Sequence, residues 1–468
     1  MPVITYIFKD IRAWIILFFV LRLVAITNPP LEVAHNWRQT TVTMAARNFL
    51  ETDSNILFPR IDIAGEKTGI TGMEFPLLNY LIYLISLIFG YAHWYGRLIN
   101  LVVSSVGLFF FYKIIKKYFS EPLAFKAAFI LLFSIWFTYS RKIMPDTFSM
   151  SLVFIGFYYA TNYLDKKDFS LKDMLLYFFF CLLGGLSKLP AMYILVLLLP
   201  LFVNKNIAVK RKIEFTLLTC IIVAIISLYY FVWVPHLNKQ FEFTHFFMGK
   251  SILNGFKEIS NNLNETFQKF YEEAIGYIGF ALFLMGIIMA LIKKNKLILI
   301  VFTLSFAAFL IIIFKSGFTF YHHSYYIIPF APVMSLLAAF AIQQTTHQKT
   351  VLILLALFAL ESLLNKFHDF YVKDNNIAIM RLEEELDKLG NRSDLLLINS
   401  GNVPTPMYFA HRKGWVDFNE SLTNQAYILA LKKKGLRFIV ILKKVFGTDL
   451  QLPYESEFEN ADFRIYKI

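Results

Sequence analysis

Apolar runs of helix length recur along the chain from residue 13 to residue 364, and the polar stretches between many of them are short and basic. In hydrocarbon every backbone amide must be satisfied within a helix or a closed barrel. Unbroken runs of this length, rather than short alternating segments, select helices. The chain is therefore expected to be an α-helical polytopic membrane protein. Hydrophobic residues make up 57% of its 468 positions and charged residues only 17%, more apolar side chain than a soluble core of this size needs. The net charge of +13 does not argue for a nucleic-acid partner, because basic residues gather in the cytoplasmic loops of membrane proteins. Cys181 and Cys220 lie inside apolar runs without CxxC spacing, which indicates neither a disulfide framework nor a thiol metal site.

Charge bias orients the spans. Lys9 and Arg12 place the N-terminus in the cytoplasm. The first run carries Arg22 and ends at Asn28-Pro29-Pro30 without a small-residue cleavage site, so it reads as a retained span rather than a signal peptide. The polar stretch 28–76 then emerges outside. The run at 77–90 is short for a span and is expected to lie in the interface as a helix. That reading lets Lys113, Lys116 and Lys117, at the end of the run 98–115, reach the cytoplasm. The same parity puts Lys166-Lys167, the basic stretch 205–212 and the Lys293–Lys296 cluster on the cytoplasmic side. About eleven spans result, with the C-terminus outside. From residue 366 helical and strand-like segments alternate, with strands at 395–399 and 437–442. A transmembrane domain over 1–365 is thus followed by a small extracytoplasmic α/β domain over 366–468.

The stretch 28–76 gathers Glu32, His35, Trp37, Arg38, Gln39, Arg47, Arg60 and Glu74 between apolar walls. Glu32 and Glu74 bracket it and Asp146 ends the next outer loop, giving three carboxylates that can meet at one membrane face. Burial beside apolar segments makes a carboxylate a usable base, although a solvated loop charge is the plain alternative for each. Arg22, Arg141 and Lys188 lie near the outer ends of spans. Cations at that depth are costly and suit an anionic lipid headgroup, or else they snorkel to the surface. His322 and His323 stand among Phe318, Phe320, Tyr321, Tyr325 and Tyr326, a composition that fits a sugar or phosphate pocket and equally an interfacial aromatic belt. A metal site there is an open alternative, although two adjacent histidines without a clear third ligand are a weak signal for one.

In order along the chain, HNWRQTTVTMAARNF (35–49), EFPLLNYL (74–81), SRxxxPD (140–146), LSKLP (186–190), HHSYYIIPFAP (322–332) and YFAHRKGW (408–415) resemble the bacterial glycosyltransferases that use polyprenyl-phosphate sugars. These are membrane enzymes of the type C fold, related to protein O-mannosyltransferases and to the aminoarabinose transferase of lipid A. The resemblance covers nearly the whole chain. It implies an inverting transfer of a sugar from a polyprenyl phosphate to a lipid, glycan or protein acceptor on the extracytoplasmic face of the inner membrane. An acid after the first span would be the general base, which points to Glu32, although Glu32 lies a little further from His35 than the family's acid does. Glu74 is the competing candidate, with Asp146 the third carboxylate. Phe75 replaces the lysine that holds the donor phosphate in the aminoarabinose transferase. Donor binding then falls to His35, Arg38, Arg141, Lys188, Tyr321, His322, His323 and Tyr326. No cofactor is implied, and a divalent metal is not required because the leaving group is already a phosphate.

His411, Arg412 and Trp415 are the acceptor-binding candidates of the C-terminal domain, where aromatic core and solvated charge is the plain alternative. Two other classes remain. A secondary transporter or lipid flippase also needs many spans and buried charge, but no inverted repeat is apparent. A glycan polymerase or ligase shares substrates and location.

Overall fold

The computed structural model describes residues 10–166, 169–245, 249–446 and 449–468. Lys9 and Lys167, two of the cations used to orient the spans, lie outside them. The chain forms two compact units, the first from the described parts of 1–26, 97–229 and 247–368, the second from 27–96, 230–246 and 369–468.

The first unit is helical. Each of the expected spans coincides with helical backbone, from Ile11–Leu23 to Gln348–Phe367. Polar residues start the helices where they emerge from the apolar runs. Ser120, Ser170 and Asn295 each accept from a backbone amide of the first turn they precede, satisfying donors that a helix leaves unpaired. Among the described residues four helices are long and apolar enough to cross a membrane, or five if the pair Leu263–Ala274 and Gly276–Ile292, bent by 100°, counts as one span. Others are shorter or interrupted, as at Ser134, where the Glu121–Phe133 helix stops and the Ile135–Tyr139 turn begins. With 57% of the chain hydrophobic and large residues such as Leu217, Ile288 and Leu352 exposed, this is an integral membrane protein.

The Pro145–Asp165 helix is the centre of this unit, with almost every residue buried. Its neighbours approach through glycines: a Cβ at Gly107 would fall 2.2 Å from that of Ser151, and one at Gly156 2.5 Å from the Cys181 sulfur. Small residues allow such backbone contact between helices in a membrane. Next to it, Leu189–Leu198 is a ten-residue 3-10 helix flanked by Pro190 and Pro200. Runs of that length are uncommon because the hydrogen bonds are strained.

The second unit differs from the expected loop plus separate domain. The stretch 28–76 contains a 16-residue helix, Asn36–Glu51, with eleven of its residues buried. That helix is unbroken by glycine or proline and packs in one core with the C-terminal segment, Met44 and Ala45 joining Leu396, Tyr408, Val440 and Ile465. Arg47 donates to Asp62 and to the Tyr408 carbonyl, and its guanidinium lies 4.7 Å from the Tyr408 ring. The Leu77–Phe89 helix has one buried face, pinned by Asn79 donating to the Val42 carbonyl, and one exposed face bearing Leu84, Leu87, Ile88 and Phe89. The five-stranded sheet comprises β1 (Leu395–Ile398), β2 (Gly414–Val416), β3 (Leu436–Leu442), β4 (Ser456–Glu459) and β5 (Phe463–Lys467), in the order β2-β1-β3-β5-β4. β1 pairs in parallel with β2 and β3, and β5 runs antiparallel to β3 and β4. The mixed α/β character agrees with the alternation in sequence; β2, β4 and β5 were not anticipated.

Candidate functional site

In the first unit, Asp146 is the second residue of the Pro145–Asp165 helix, and Pro145 before it fixes the backbone for a helix start. Lys188 stands where the Leu171–Ser187 helix ends and the 3-10 helix begins, its extended backbone (φ −163°, ψ 111°) turning the chain. Its ammonium lies 2.7 Å from Asp146 Oδ1, 4.8 Å from the Tyr325 ring centroid and 5.8 Å from that of Tyr326. A cation on a carboxylate and two aromatic faces is held in place. The small hollow beside it is lined by Asp146, Lys188, Ala191, Tyr325, Tyr326 and Pro329 among others. Asp146 Oδ2 is buried and has no hydrogen-bond partner among the described residues. The supporting turn is fixed by Tyr139 and Ser324, whose hydroxyls are 2.6 Å apart.

Three other expected donor residues fall differently. Arg141 donates to the carbonyls of Val24 and Ala25, at 2.7 and 3.1 Å, just past the end of the Ile11–Leu23 helix. A cation there satisfies orphan carbonyls and the negative helix end, so the guanidinium expected at the donor has a structural role. Exposed His322 stacks on Phe318 at 4.0 Å with Tyr321 against both, an aromatic surface cluster outside the Lys188 hollow. His323 instead stacks on Tyr325, 5.3 Å between ring centres, and so adjoins the hollow.

The second unit holds another acidic group. Glu32 has no exposed surface, and its backbone forms an isolated bridge with Val372. His35 follows in the left-handed conformation (φ 57°), costly for a residue with a side chain, and its carbonyl accepts the first amides of the Asn36–Glu51 helix. Arg38 and Glu74, each 9% exposed, form an ion pair. His245, absent from the sequence candidates, lies close enough for both charges to act on it: burial and then the Arg38 charge pull its imidazole down to about 4, against the opposing pull of Glu74. It is neutral at neutral pH, able to accept or donate a proton. Only a single histidine in a run of phenylalanines marked it in the sequence. Among the described residues no group of three or more His, Cys, Asp or Glu gathers as a metal site would.

Residues 74–231 match the profile of the family described as dolichyl-phosphate-mannose-protein mannosyltransferase. No curated protein sequence matches the chain. Among solved structures, ArnT from Cupriavidus metallidurans bound to undecaprenyl phosphate superposes over 97% of this chain and 98% of its own, with a TM-score of 0.62 at 11% identity. The archaeal oligosaccharyltransferase AglB from Archaeoglobus fulgidus, in complex with an inhibitory peptide and a dolichol-phosphate, covers 92% of this chain and 69% of its own, with a TM-score of 0.55 at 12% identity. The chain has the type C glycosyltransferase fold.

Within this type C chain the C-terminal candidates are engaged internally. Arg412, 3% exposed, donates to Asp387 at 2.6 Å and to the His411 carbonyl. His411 bridges Glu51 and Glu383, at 2.8 and 2.7 Å. Burial lowers its proton affinity, the two carboxylates raise it more, and the net shift is upward. The Trp415 indole packs over Gly65, where a Cβ would come within 2.2 Å of its nitrogen. These contacts join the Asn36–Glu51 helix and the strands of the unit, as the plain alternative recognised in the sequence has it.

Proposed function

We propose that the protein transfers a glycosyl group from a polyprenyl phosphate carrier to an acceptor outside the membrane, with inversion at the anomeric carbon. The observation that carries this reading is the Lys188–Asp146–Tyr325–Tyr326 hollow in a chain of the type C fold. Lys188 binds the donor phosphate and Asp146 holds the ammonium through one oxygen, the other accepting a hydroxyl of the sugar. Glu32 is the general base, with Glu74 the alternative. The base removes a proton from the acceptor hydroxyl or amine, whose lone pair forms the new bond to the anomeric carbon. The bond from that carbon to phosphate oxygen breaks, and the phosphate leaves with the electron pair, steadied by Lys188.

The test is binding of undecaprenyl phosphate to the purified chain, followed by incubation with a panel of polyprenyl-phosphate sugars. Binding that Lys188→Met weakens, together with release of sugar to an acceptor, is the expected result. Indifference of binding to Lys188→Met would remove the reading.

A further inference from the structure

Two helices of the first unit are broken, and a third helix holds both breaks. The Leu263–Gln268 helix passes into a π-turn, Lys269–Ala274, and the chain then bends by 100° into the Gly276–Ile292 helix, with Gly276 at φ 68°. π-turns are rare and are found mostly at functional sites. The first amides of a helix that starts at such a bend have no partner within it. Glu361 of the apolar Gln348–Phe367 helix supplies one: its Oε1 accepts from the Tyr277 amide at 2.7 Å and its Oε2 from the Ile278 amide at 2.9 Å. The approach is close, since a Cβ at Gly276 would lie 3.1 Å from the Glu361 carboxyl carbon. On the other side of the bend Lys366, 6% exposed, donates to the Glu273 carbonyl at 2.7 Å. Ser362, next to Glu361 in the same helix, is buried and donates to the carbonyl of Phe133. Phe133 is the last residue of the Glu121–Phe133 helix before the break at Ser134.

Both broken elements meet at one turn. The π-turn Lys269–Ala274 packs on Ser324–Ile327, and Tyr139, at the end of the short Ile135–Tyr139 helix, has its hydroxyl 2.6 Å from that of Ser324. That turn carries Tyr325 and Tyr326, whose rings lie 4.8 and 5.8 Å from the Lys188 ammonium. We propose that the Gln348–Phe367 helix is a positioning element for the phosphate end of the donor, its Glu361 and Ser362 holding the two breaks so that Tyr325 and Tyr326 stand against Lys188. This rests on the reading of Lys188 as the phosphate ligand and adds how that ligand is held. A carboxylate in an apolar helix is costly. Capping a positive helix end accounts for Glu361 alone. It does not account for the neighbouring serine taking the second break, or for the two broken elements converging on the turn that faces the ammonium. Neither Glu361 nor Ser362 lines the hollow, so each acts on the donor only through the tyrosines and Lys188.

The experiment is a double-mutant cycle on the full-length purified protein, read as affinity for undecaprenyl phosphate. Glu361→Gln keeps the shape of the side chain and removes one acceptor and the charge. It should weaken binding about 5-fold or more in the unaltered protein and less than about 2-fold in the Lys188→Met background, where the group to be positioned is gone. Ser362→Ala, a smaller change, goes through the same cycle with the same expectation and stands in for Glu361→Gln if that variant does not fold. Asp173→Asn measures what a general loss of stability does. Asp173 is buried, pairs with Lys166, and lies at the opposite end of the Leu171–Ser187 helix from Lys188. Its effect on affinity, whatever the size, should be the same in both backgrounds, as it is for independent sites. Three results overturn the positioning role and leave Lys188 as the phosphate ligand: equal factors for Glu361→Gln in the two backgrounds, no weakening in either, or an Asp173→Asn factor that also collapses in the Lys188→Met background. Binding that is indifferent to Lys188→Met removes the phosphate site and the positioning role together.

Discussion

Two ion-paired groups in this molecule use similar residues to opposite ends. At Lys188 a cation meets one carboxylate oxygen, two aromatic rings and a hollow, and the second carboxylate oxygen of Asp146 has no partner among the described residues. At His411 and Arg412 the side chains bridge Glu51, Glu383 and Asp387. A network with its donors matched to acceptors rigidifies a fold, whereas a buried carboxylate oxygen with no partner among the described residues can take a donor from a ligand. The first arrangement is the one the proposed function uses, and the second holds the second unit together.

Substitutions should separate the two. The largest effect is expected from Glu32→Gln, which keeps shape and removes the base: turnover should drop about 100-fold or more, with donor affinity unchanged. If Glu32→Gln is active and Glu74→Gln is not, the base is Glu74. Lys188→Met should weaken donor binding by about 1.5–3 kcal/mol, roughly 10- to 150-fold, and should also lower the thermal midpoint, because it strands the buried Asp146 carboxylate. Arg412→Met should lower the thermal midpoint alone. It removes one of the two cations paired with Asp387 and leaves Arg392, and that carboxylate is over a third exposed, so the loss of stability is limited to about 1–2 kcal/mol, and donor affinity should hold. Thermal unfolding and lipid-phosphate titration on each variant measure the pair of effects. A Lys188→Met protein that melts early and binds donor normally would erase the contrast.

The smallest effect is a pH dependence. The folded state holds the His411 proton more tightly than the unfolded chain does, so this stabilisation is complete below the ordinary histidine range near 6.5 and is lost as pH rises through the raised folded value. Glu51 and Glu383 are shifted downward, chiefly against burial for Glu51 and by the His411 hydrogen bond for Glu383. Their contribution is present above the ordinary carboxylate range and fades as pH falls through their depressed values. Both carboxylates are partly exposed, which keeps the histidine effect to about 1 kcal/mol or less. Melting curves should show stability declining above about pH 6.5, and His411→Gln should flatten that decline. An unaltered slope in the variant would assign the pH effect elsewhere.

The membrane helices were legible because hydrocarbon leaves the backbone few options and the basic ends of the runs are strongly patterned. Lys188, Asp146 and Tyr326 were legible as separate costly or polar residues near span ends, and folding brings them together with Tyr325. Arg141 followed the same rule and went to the end of a helix, because position along a span does not distinguish a ligand-facing cation from one that satisfies carbonyls. The Asn36–Glu51 helix was read as polar loop because its threonines and arginines mimic solvated chain, although Thr40, Thr41 and Thr43 are buried and donate to carbonyls one turn back. His411 and Arg412 looked exposed for the same reason: charge in sequence carries no information about the partner that buries it. β4 and β5 were missed because β4 is short and charged and β5 interleaves Arg464 and Lys467 with its apolar residues.

The Asn36–Glu51 helix shares a core with strands that begin at Leu395. At a synthesis rate of about 5–20 residues per second, roughly 17–70 s separate the completion of that helix from the appearance of its first strand partner. For that interval Met44, Ala45 and the polar residues beside them have no sheet to pack on. The nascent chain must keep this segment outside the bilayer without its native partners, which makes it a natural point of attachment for a chaperone during biogenesis and the place where a truncated product would be recognised as unfinished.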